Sequence, residues 1–109
     1  MQFVYKYLDS IPVITFSRED GSLLEDSIES FCEEVMKLLK DNEHRVAFDL
    51  RHNTYLNSFG LGELINIRQF LFSRGITCIL IVESKKIYKL FEMVGIEELF
   101  KTVSSEDKI

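Results

Sequence analysis

The chain has 109 residues, of which 46% are hydrophobic and 28% charged, and these proportions are typical of one globular domain. The net charge is −5 and the basic residues are scattered, which argues against binding of nucleic acid or anionic membranes. The densest basic pair, Lys85–Lys86, is interpreted as a solvated helix start. No signal peptide and no apolar run near the roughly 20 residues of a membrane span is visible, so a cytoplasmic protein is expected.

Two segments rich in β-forming residues open the chain. Residues 3–8 and 12–16 are separated by a short turn at Asp9–Ser10, which predicts an antiparallel hairpin within the segment 1–16. The first of these strands is expected at a sheet edge. Pro12, the only proline, is expected at the first position of the second strand, where a missing N–H does least harm.

A polar loop follows, and apolar residues then recur at steps of three and four. This spacing predicts an amphipathic helix over about residues 23–40. Glu25 and Asp26 would lie in its first turn and Lys37 and Lys40 in its last, where each charge is favourable to the helix dipole.

The central segment, residues 46–82, has the pattern of a strand, a helix and a second strand. Residues 46–50 and 76–82 are short apolar runs typical of buried strands. Between them the apolar spacing becomes helical and predicts a helix over residues 58–73, closed by Gly75 in a left-handed conformation. Such a crossover predicts that the two strands are parallel neighbours.

The last part of the chain contains a closing helical region, residues 84–100. Ser84 is expected to cap a helix over residues 85–94. Residues 102–103 are expected to add a last strand, and residues 104–109 to form a frayed tail.

A serine stands where the central helix should begin. The hydroxyl of Ser58 is expected to cap the first turn of that helix. Gly60 and Gly62 follow at once, although glycine is about 1 kcal/mol less favourable than alanine inside a helix. Two explanations remain open: the missing Cβ atoms let another molecule approach Ser58, or they permit close packing of the helix behind the loop.

Several catalytic interpretations fail on residue type. A dinucleotide-binding turn needs a small residue where Ile65 stands, and a hydrolase elbow needs glycine where Leu56 stands. The histidines and cysteines lack the spacing of metal ligands, and Cys32 and Cys78 are interpreted as buried free thiols. We therefore expect no catalytic residue, no cofactor and no metal.

Modification of Ser58 is the remaining specific hypothesis. A phosphate would add roughly −1.5 to −2 charges beside a helix N-terminus, where N–H groups and the dipole tolerate an anion. A partner docked on Phe59, Gly60 and Leu61 would instead meet a new doubly charged group. Phosphorylation is thus expected to switch binding rather than folding.

The same residues resemble a known signature. Asp49–Leu50, a short loop, and then Asn57-Ser58-Phe59-Gly60-Leu61-Gly62 are similar to the motif of STAS domains, the anti-sigma factor antagonists, and residues 84–100 are similar to the closing helix of that family. The resemblance implies a single α/β domain over residues 1–109, with a small open mixed β-sheet and helices packed mainly on one face.

The resemblance also implies a function in bacterial partner switching. An antagonist of this type binds an anti-sigma factor that is also a serine kinase of the histidine-kinase-like ATPase type, and this binding frees the sigma factor. The kinase phosphorylates the serine that corresponds to Ser58, and a PP2C-type phosphatase restores it. The partner-binding residues implied are Asp20, Asn57, Ser58, Phe59, Gly60, Leu61 and Gly62.

Three positions depart from the family pattern. Asn57 stands in place of an acid, Phe59 in place of a small residue, and Asp20 alone remains of the motif that ends the second strand. Two other functions therefore stay open. One is a scaffold or accessory subunit that is not phosphorylated, as in stressosome-type assemblies or lipid-transport complexes, and the other is a module that binds a small ligand or nucleotide.

Overall fold

Five strands and three α-helices follow one another along residues 3–109, the part of the chain that this computed structural model describes. The strands are β1 (Val4–Leu8), β2 (Ile11–Thr15), β3 (Arg45–Asp49), β4 (Thr77–Ile81) and β5 (Lys101–Val103). The helices are α1 (Ile28–Leu38), α2 (Ser58–Phe72) and α3 (Lys85–Val94). Met1 and Gln2, the first residues of the predicted segment 1–16, lie outside the described residues.

The strands form one mixed sheet in the order β1-β2-β3-β4-β5. β1 lies at the edge and runs antiparallel to β2, whereas all other neighbours are parallel, so the predicted hairpin and parallel crossover are confirmed. Pro12 is the second residue of β2 rather than the first. The parallel pairing with β3 begins one residue later, at Val13, and therefore does not need an N–H from Pro12.

The three helices pack on one face of the sheet, as the resemblance implied. The centre of this core is aromatic: the ring centroids of Phe16, Phe31 and Phe48 lie 5.6 to 6.0 Å apart. Gly75 and Gly95, which end α2 and α3, both have positive φ angles near 77° and 76°. None of the helices within residues 3–109 has the length and apolar content that a bilayer span requires.

The helix expected over residues 23–40 is shorter at both ends, since α1 runs from Ile28 to Leu38. Ser27 caps it by accepting a hydrogen bond from the Ser30 N–H at 3.1 Å. The N–H groups of Leu23 and Leu24 are held elsewhere, because both donate to the carboxylate of Glu63 in α2, at 2.7 and 3.2 Å. Leu23 and Leu24, which lie within the predicted helix, thus belong to the loop that precedes α1.

The shorter helix changes the assignment of the charged residues at its ends. Glu25 and Asp26 precede α1 and Lys40 follows it, so only Lys37 lies in a terminal turn as expected. Glu29 takes the place of the predicted acids in the first turn.

Residues 104–109 are not a frayed tail, because they pack across the second face of the sheet. That face carries a rear cluster of buried side chains: Ile11, Val13, Ala47, Ile79 and Ile81. Ile109 packs against the rear cluster. A carboxylate oxygen of Glu106 lies 2.7 Å from Lys6 Nζ on β1 and 2.7 Å from Arg51 Nη2 after β3. The tail was missed because it is held by residues distant in sequence and contains one large apolar side chain besides its polar residues.

Glu106 is expected to make the stability of the protein depend on pH. Lys6 and Arg51 lower the pKa of Glu106. A lowered pKa in the folded state means that the stabilisation is present above the pKa of the unfolded chain and is lost as the pH falls through the folded-state value. We expect Glu106→Gln to lower the free energy of unfolding by about 1 kcal/mol at neutral pH and by progressively less below about pH 4.5.

Urea unfolding of wild type and variant across this pH range measures the difference. Glu33→Gln removes the same charge at an exposed position of α1 and serves as the control. A Glu106→Gln difference that stays constant with pH, or that Glu33→Gln reproduces, would contradict the assigned role.

Candidate functional site: a helix start fastened to a loop

The first turn of α2 is capped by Asn57, and Ser58 is the first residue of the helix. The side-chain oxygen of Asn57 accepts a hydrogen bond from the Gly60 N–H at 2.7 Å. The prediction that Ser58 is the cap is therefore wrong by one residue. Asparagine and serine are about equally good caps, so adjacent candidates could not be distinguished by residue type.

Asn57 also connects α2 to the loop after β2. Its side-chain N–H₂ group donates to the carbonyl of Asp20 at 3.0 Å, and its backbone N–H donates to the carbonyl of Gly21 at 3.0 Å. A carboxylate at this position could still cap the helix, but it could not donate to the Asp20 carbonyl. The amide thus provides a contact between loop and helix that the acid of the family pattern could not make.

The carboxylate of Asp20 orders that loop from within. It accepts hydrogen bonds from the Ser22 hydroxyl at 2.6 Å and the Ser22 N–H at 3.0 Å, and Arg18 Nη2 lies 3.0 Å away. These donors hold the pKa of Asp20 well below its usual range, so the hydrogen bonds that order the loop persist at acidic pH. The charge of Asp20 is paired with Arg18 within the loop.

The two glycines of the first turn have different roles. A Cβ atom at Gly60 would collide with the carbonyl oxygen of Gly21, so Gly60 permits close packing of α2 on the loop. At Gly62 a Cβ atom would meet no described atom within 4 Å beyond its chain neighbours and the backbone of its own helix. Each of the two explanations left open by the sequence thus fits one glycine: packing at Gly60, and open access at Gly62.

Glu63 is the residue of this region that the sequence analysis missed. It is 7% exposed, and its carboxylate accepts the two hydrogen bonds from Leu23 and Leu24 described above. Its position gave a usable signal, because Gly60, Glu63 and Ile67 follow at three- and four-residue steps along one buried face of α2. We call the contacts of Asn57, Gly60 and Glu63 with residues 20–24 the loop–helix clamp.

Other motif residues remain accessible around the clamp. Ser58 is exposed, and none of the hydrogen bonds found within residues 3–109 uses its hydroxyl. Phe59 is 67% exposed and Leu61 is half-buried. A shallow groove of about 370 Å³ lies beside them, with Ser58, Phe59 and Gly62 on the α2 side and residues 26–28 on the α1 side. Of the seven residues implied by the resemblance, Ser58, Phe59 and Gly62 line this groove, and Asn57 joins Asp20 to the same helix start. Gly60 is buried, and Leu61 packs against the core.

The two cysteines do not belong to this surface. Cys32 and Cys78 are buried and unpaired, as expected, and burial raises the pKa of both thiols to about 12. Within residues 3–109 no three His, Cys, Asp or Glu side chains lie close enough together to hold a metal ion.

The two glycines provide a matched pair of substitutions. Gly60→Ala is expected to lower the free energy of unfolding by about 1–3 kcal/mol, because the methyl group meets loop backbone. Gly62→Ala is expected to raise it by up to about 1 kcal/mol, because alanine favours the helix and the position is open. Thermal and urea unfolding measure both. Equal effects of the two substitutions would contradict the close contact of Gly60 with the loop.

The fold is similar to solved structures of low sequence identity. The protein TM1081 of Thermotoga maritima gives a TM-score of 0.74 at 20% identity, over 99% of this chain and 85% of that one. The anti-sigma factor antagonist SpoIIAA in its unphosphorylated form gives a TM-score of 0.65 at 15% identity, over 98% of this chain and 92% of that one. The Bacillus protein SpoIIAA in its phosphorylated form gives a TM-score of 0.61 at 15% identity, over 98% of this chain and 96% of that one.

A comparison with curated protein sequences gives no significant match. The sequence model of the STAS domain, by contrast, matches residues 5–109. That match covers almost the entire chain and includes the strand, loop and helix start described above. The protein therefore belongs to the STAS domain family.

Proposed function

We propose that the protein is an anti-sigma factor antagonist that binds its partner through the surface at the start of α2, and that phosphorylation of Ser58 switches this binding off. The observation that carries the proposal is the exposed Ser58 hydroxyl beside Phe59, on backbone held in place by the loop–helix clamp. Membership of the STAS family and the likeness of the fold to SpoIIAA support it.

The position of Ser58 suits a serine that is modified without unfolding the protein. The N–H groups in the first turn of a helix lack intrahelical partners, and the helix dipole favours negative charge there. Asn57 already satisfies the Gly60 N–H, so a phosphate on Ser58 would not have to replace the cap. The clamp residues Gly60 and Glu63 lie on the buried face of the helix, away from solvent.

Phosphorylation at the exposed position of Ser58 would also have a large effect on the binding of a partner. A partner that covers Phe59 and the open position at Gly62 would exclude water from Ser58. Removal of water from a phosphate without a cationic partner costs far more free energy than removal of water from a hydroxyl. Phosphorylation would therefore weaken the complex while the free protein keeps its fold.

The partner proposed is an anti-sigma factor that is also a serine kinase of the histidine-kinase-like ATPase type. A PP2C-type phosphatase would reverse the modification, and the protein would act in the cytoplasm by binding, with no catalytic residue of its own. The exposed hydroxyl of Ser58, at the first residue of α2, is accessible to such a kinase.

Capture from cells of the native host tests this proposal. Wild type, Ser58→Ala and Ser58→Asp are used as baits, and the captured proteins are identified by mass spectrometry. We expect wild type and Ser58→Ala to retain an ATPase of the stated type, and Ser58→Asp to lose it. All three should show the same circular dichroism, and Ser58→Ala should change the free energy of unfolding by no more than about 0.5 kcal/mol, because Ser58 is not the cap.

A matched pair of phenylalanines controls for non-specific apolar capture. Phe59 and Phe72 are both exposed on α2, at 67% and 56%, but only Phe59 lies at the motif. Phe59→Ala should therefore weaken capture of the ATPase and Phe72→Ala should not. The same captured set for wild type and Ser58→Asp would reject the phosphorylation switch and favour a scaffold or accessory subunit.

A further inference from the structure

A second surface of the protein lies between α3 and the loop that precedes α2. It is a groove of about 340 Å³ with the buried side chains of Leu56 and Ile87 at its floor. Tyr55, Leu90 and Met93 form its apolar sides, and Met93 is 78% exposed. We call it the α3 groove, and it does not include Ser58. A concave site lined mainly by apolar side chains, with a few polar groups beside them, is typical of a binding site.

The α3 groove is bordered by positive charge. Lys86 and Lys89 line it and stand about one helical turn apart on α3. Neither lysine takes part in the ion pairs found within residues 3–109. Lys89 also lines the adjoining surface, together with Glu83 and Glu92, but neither glutamate lines the groove itself. The charged side chains within the groove are therefore lysines alone, in a chain with a net charge of −5.

Lys85 differs from Lys86 in this respect. The sequence favoured a solvated helix start for the pair, and the structure agrees for Lys85, which does not line the groove. Lys86 does line it, although both side chains are exposed. Two adjacent lysines on one helix therefore have different surroundings, which allows a test with identical changes in charge.

We propose that the α3 groove binds a short acidic amphipathic helix of a partner protein. Apolar side chains of that helix, spaced by one turn, would fill the space between Tyr55, Leu90 and Met93. Aspartate or glutamate residues beside them would contact Lys86 and Lys89. The inference goes beyond the proposed function and does not require phosphorylation of Ser58, so failure of either leaves the other intact.

A second copy of this chain is a poor occupant. Its helix with most exposed acids is α1, which carries Glu29 and Glu33. Phe31, Cys32 and Val35 of α1 are already buried in the core of their own protein, and its other apolar residues, Ile28, Met36 and Leu38, pack partly against that core. The helix could therefore offer charges to the groove, but its apolar side chains are already engaged in its own fold.

Selection from a random peptide library tests the proposal. Peptides of about four helical turns, displayed on phage, are selected on immobilised wild-type protein. We expect the enriched sequences to share large apolar residues three or four apart, with acidic residues beside them. A synthetic copy of the most enriched peptide should shift the Met93 methyl resonance when it is added to the protein.

Binding of that peptide is then measured with three variants. Lys86→Glu should weaken it about ten-fold, because an attraction becomes a repulsion, whereas Lys85→Glu should change it less than about two-fold. Met93→Ser should also weaken it, since it removes an apolar side of the groove. Circular dichroism confirms that each variant is folded.

Four results of the peptide experiments would overturn the proposal. They are a lack of peptide enrichment, enriched peptides without acidic residues, equal effects of Lys85→Glu and Lys86→Glu, and binding unaffected by Met93→Ser. Vesicles of phosphatidylcholine and phosphatidylserine that bind the protein through Lys86 and Met93, more tightly than the peptide does, would assign the groove to membranes instead.

Discussion

The contacts that fasten the start of α2 to the loop after β2 determine the shape of the candidate site. Glu63 accepts two backbone hydrogen bonds from Leu23 and Leu24, and Asn57 joins the carbonyls of Asp20 and Gly21 to the helix cap. Hydrogen bonds to a charged group contribute roughly 1.5–3 kcal/mol each, so the two bonds to Glu63 contribute most of the free energy that holds the loop on the helix. Gly60 completes the clamp by letting the two backbones touch.

This arrangement separates a rigid support from an accessible surface. Gly60 and Glu63 are buried between α2 and the loop, while Ser58 and Phe59 are exposed and, with Gly62, line a groove that reaches Glu63 at its edge. A charge added to Ser58 would therefore act on whatever covers that surface, and the core would be little affected. Binding can be switched in this way without the large free-energy cost of rearranging a small domain.

Elements governed by local sequence pattern were predictable. The hairpin, the parallel crossover, α3 with its Ser84 cap and the left-handed Gly75 all follow from short-range spacing and turn chemistry. The strand, loop and helix start that carry the motif were also predictable, because they are consecutive in the sequence.

The errors have a common cause, which is contact between residues distant in sequence. Leu23 and Leu24 continue a helical pattern, yet Glu63 holds their N–H groups in a loop. Residues 104–109 show little apolar pattern, yet ion pairs of Glu106 fix them on the rear face. The role of Gly60 depended on Gly21, which the sequence could not place beside it. The cap at Asn57 is the exception, since two suitable residues are adjacent.

The central claim is that phosphorylation of Ser58 changes the surface and leaves the clamp closed. Hydrogen exchange of the Leu23, Leu24 and Gly60 amides, compared between the unmodified protein and protein carrying genetically encoded phosphoserine at position 58, tests it most directly. Equal protection of these amides in both forms is predicted. Loss of protection at Leu23 and Leu24 in the phosphorylated form would contradict the claim, because the switch would then operate by opening the loop.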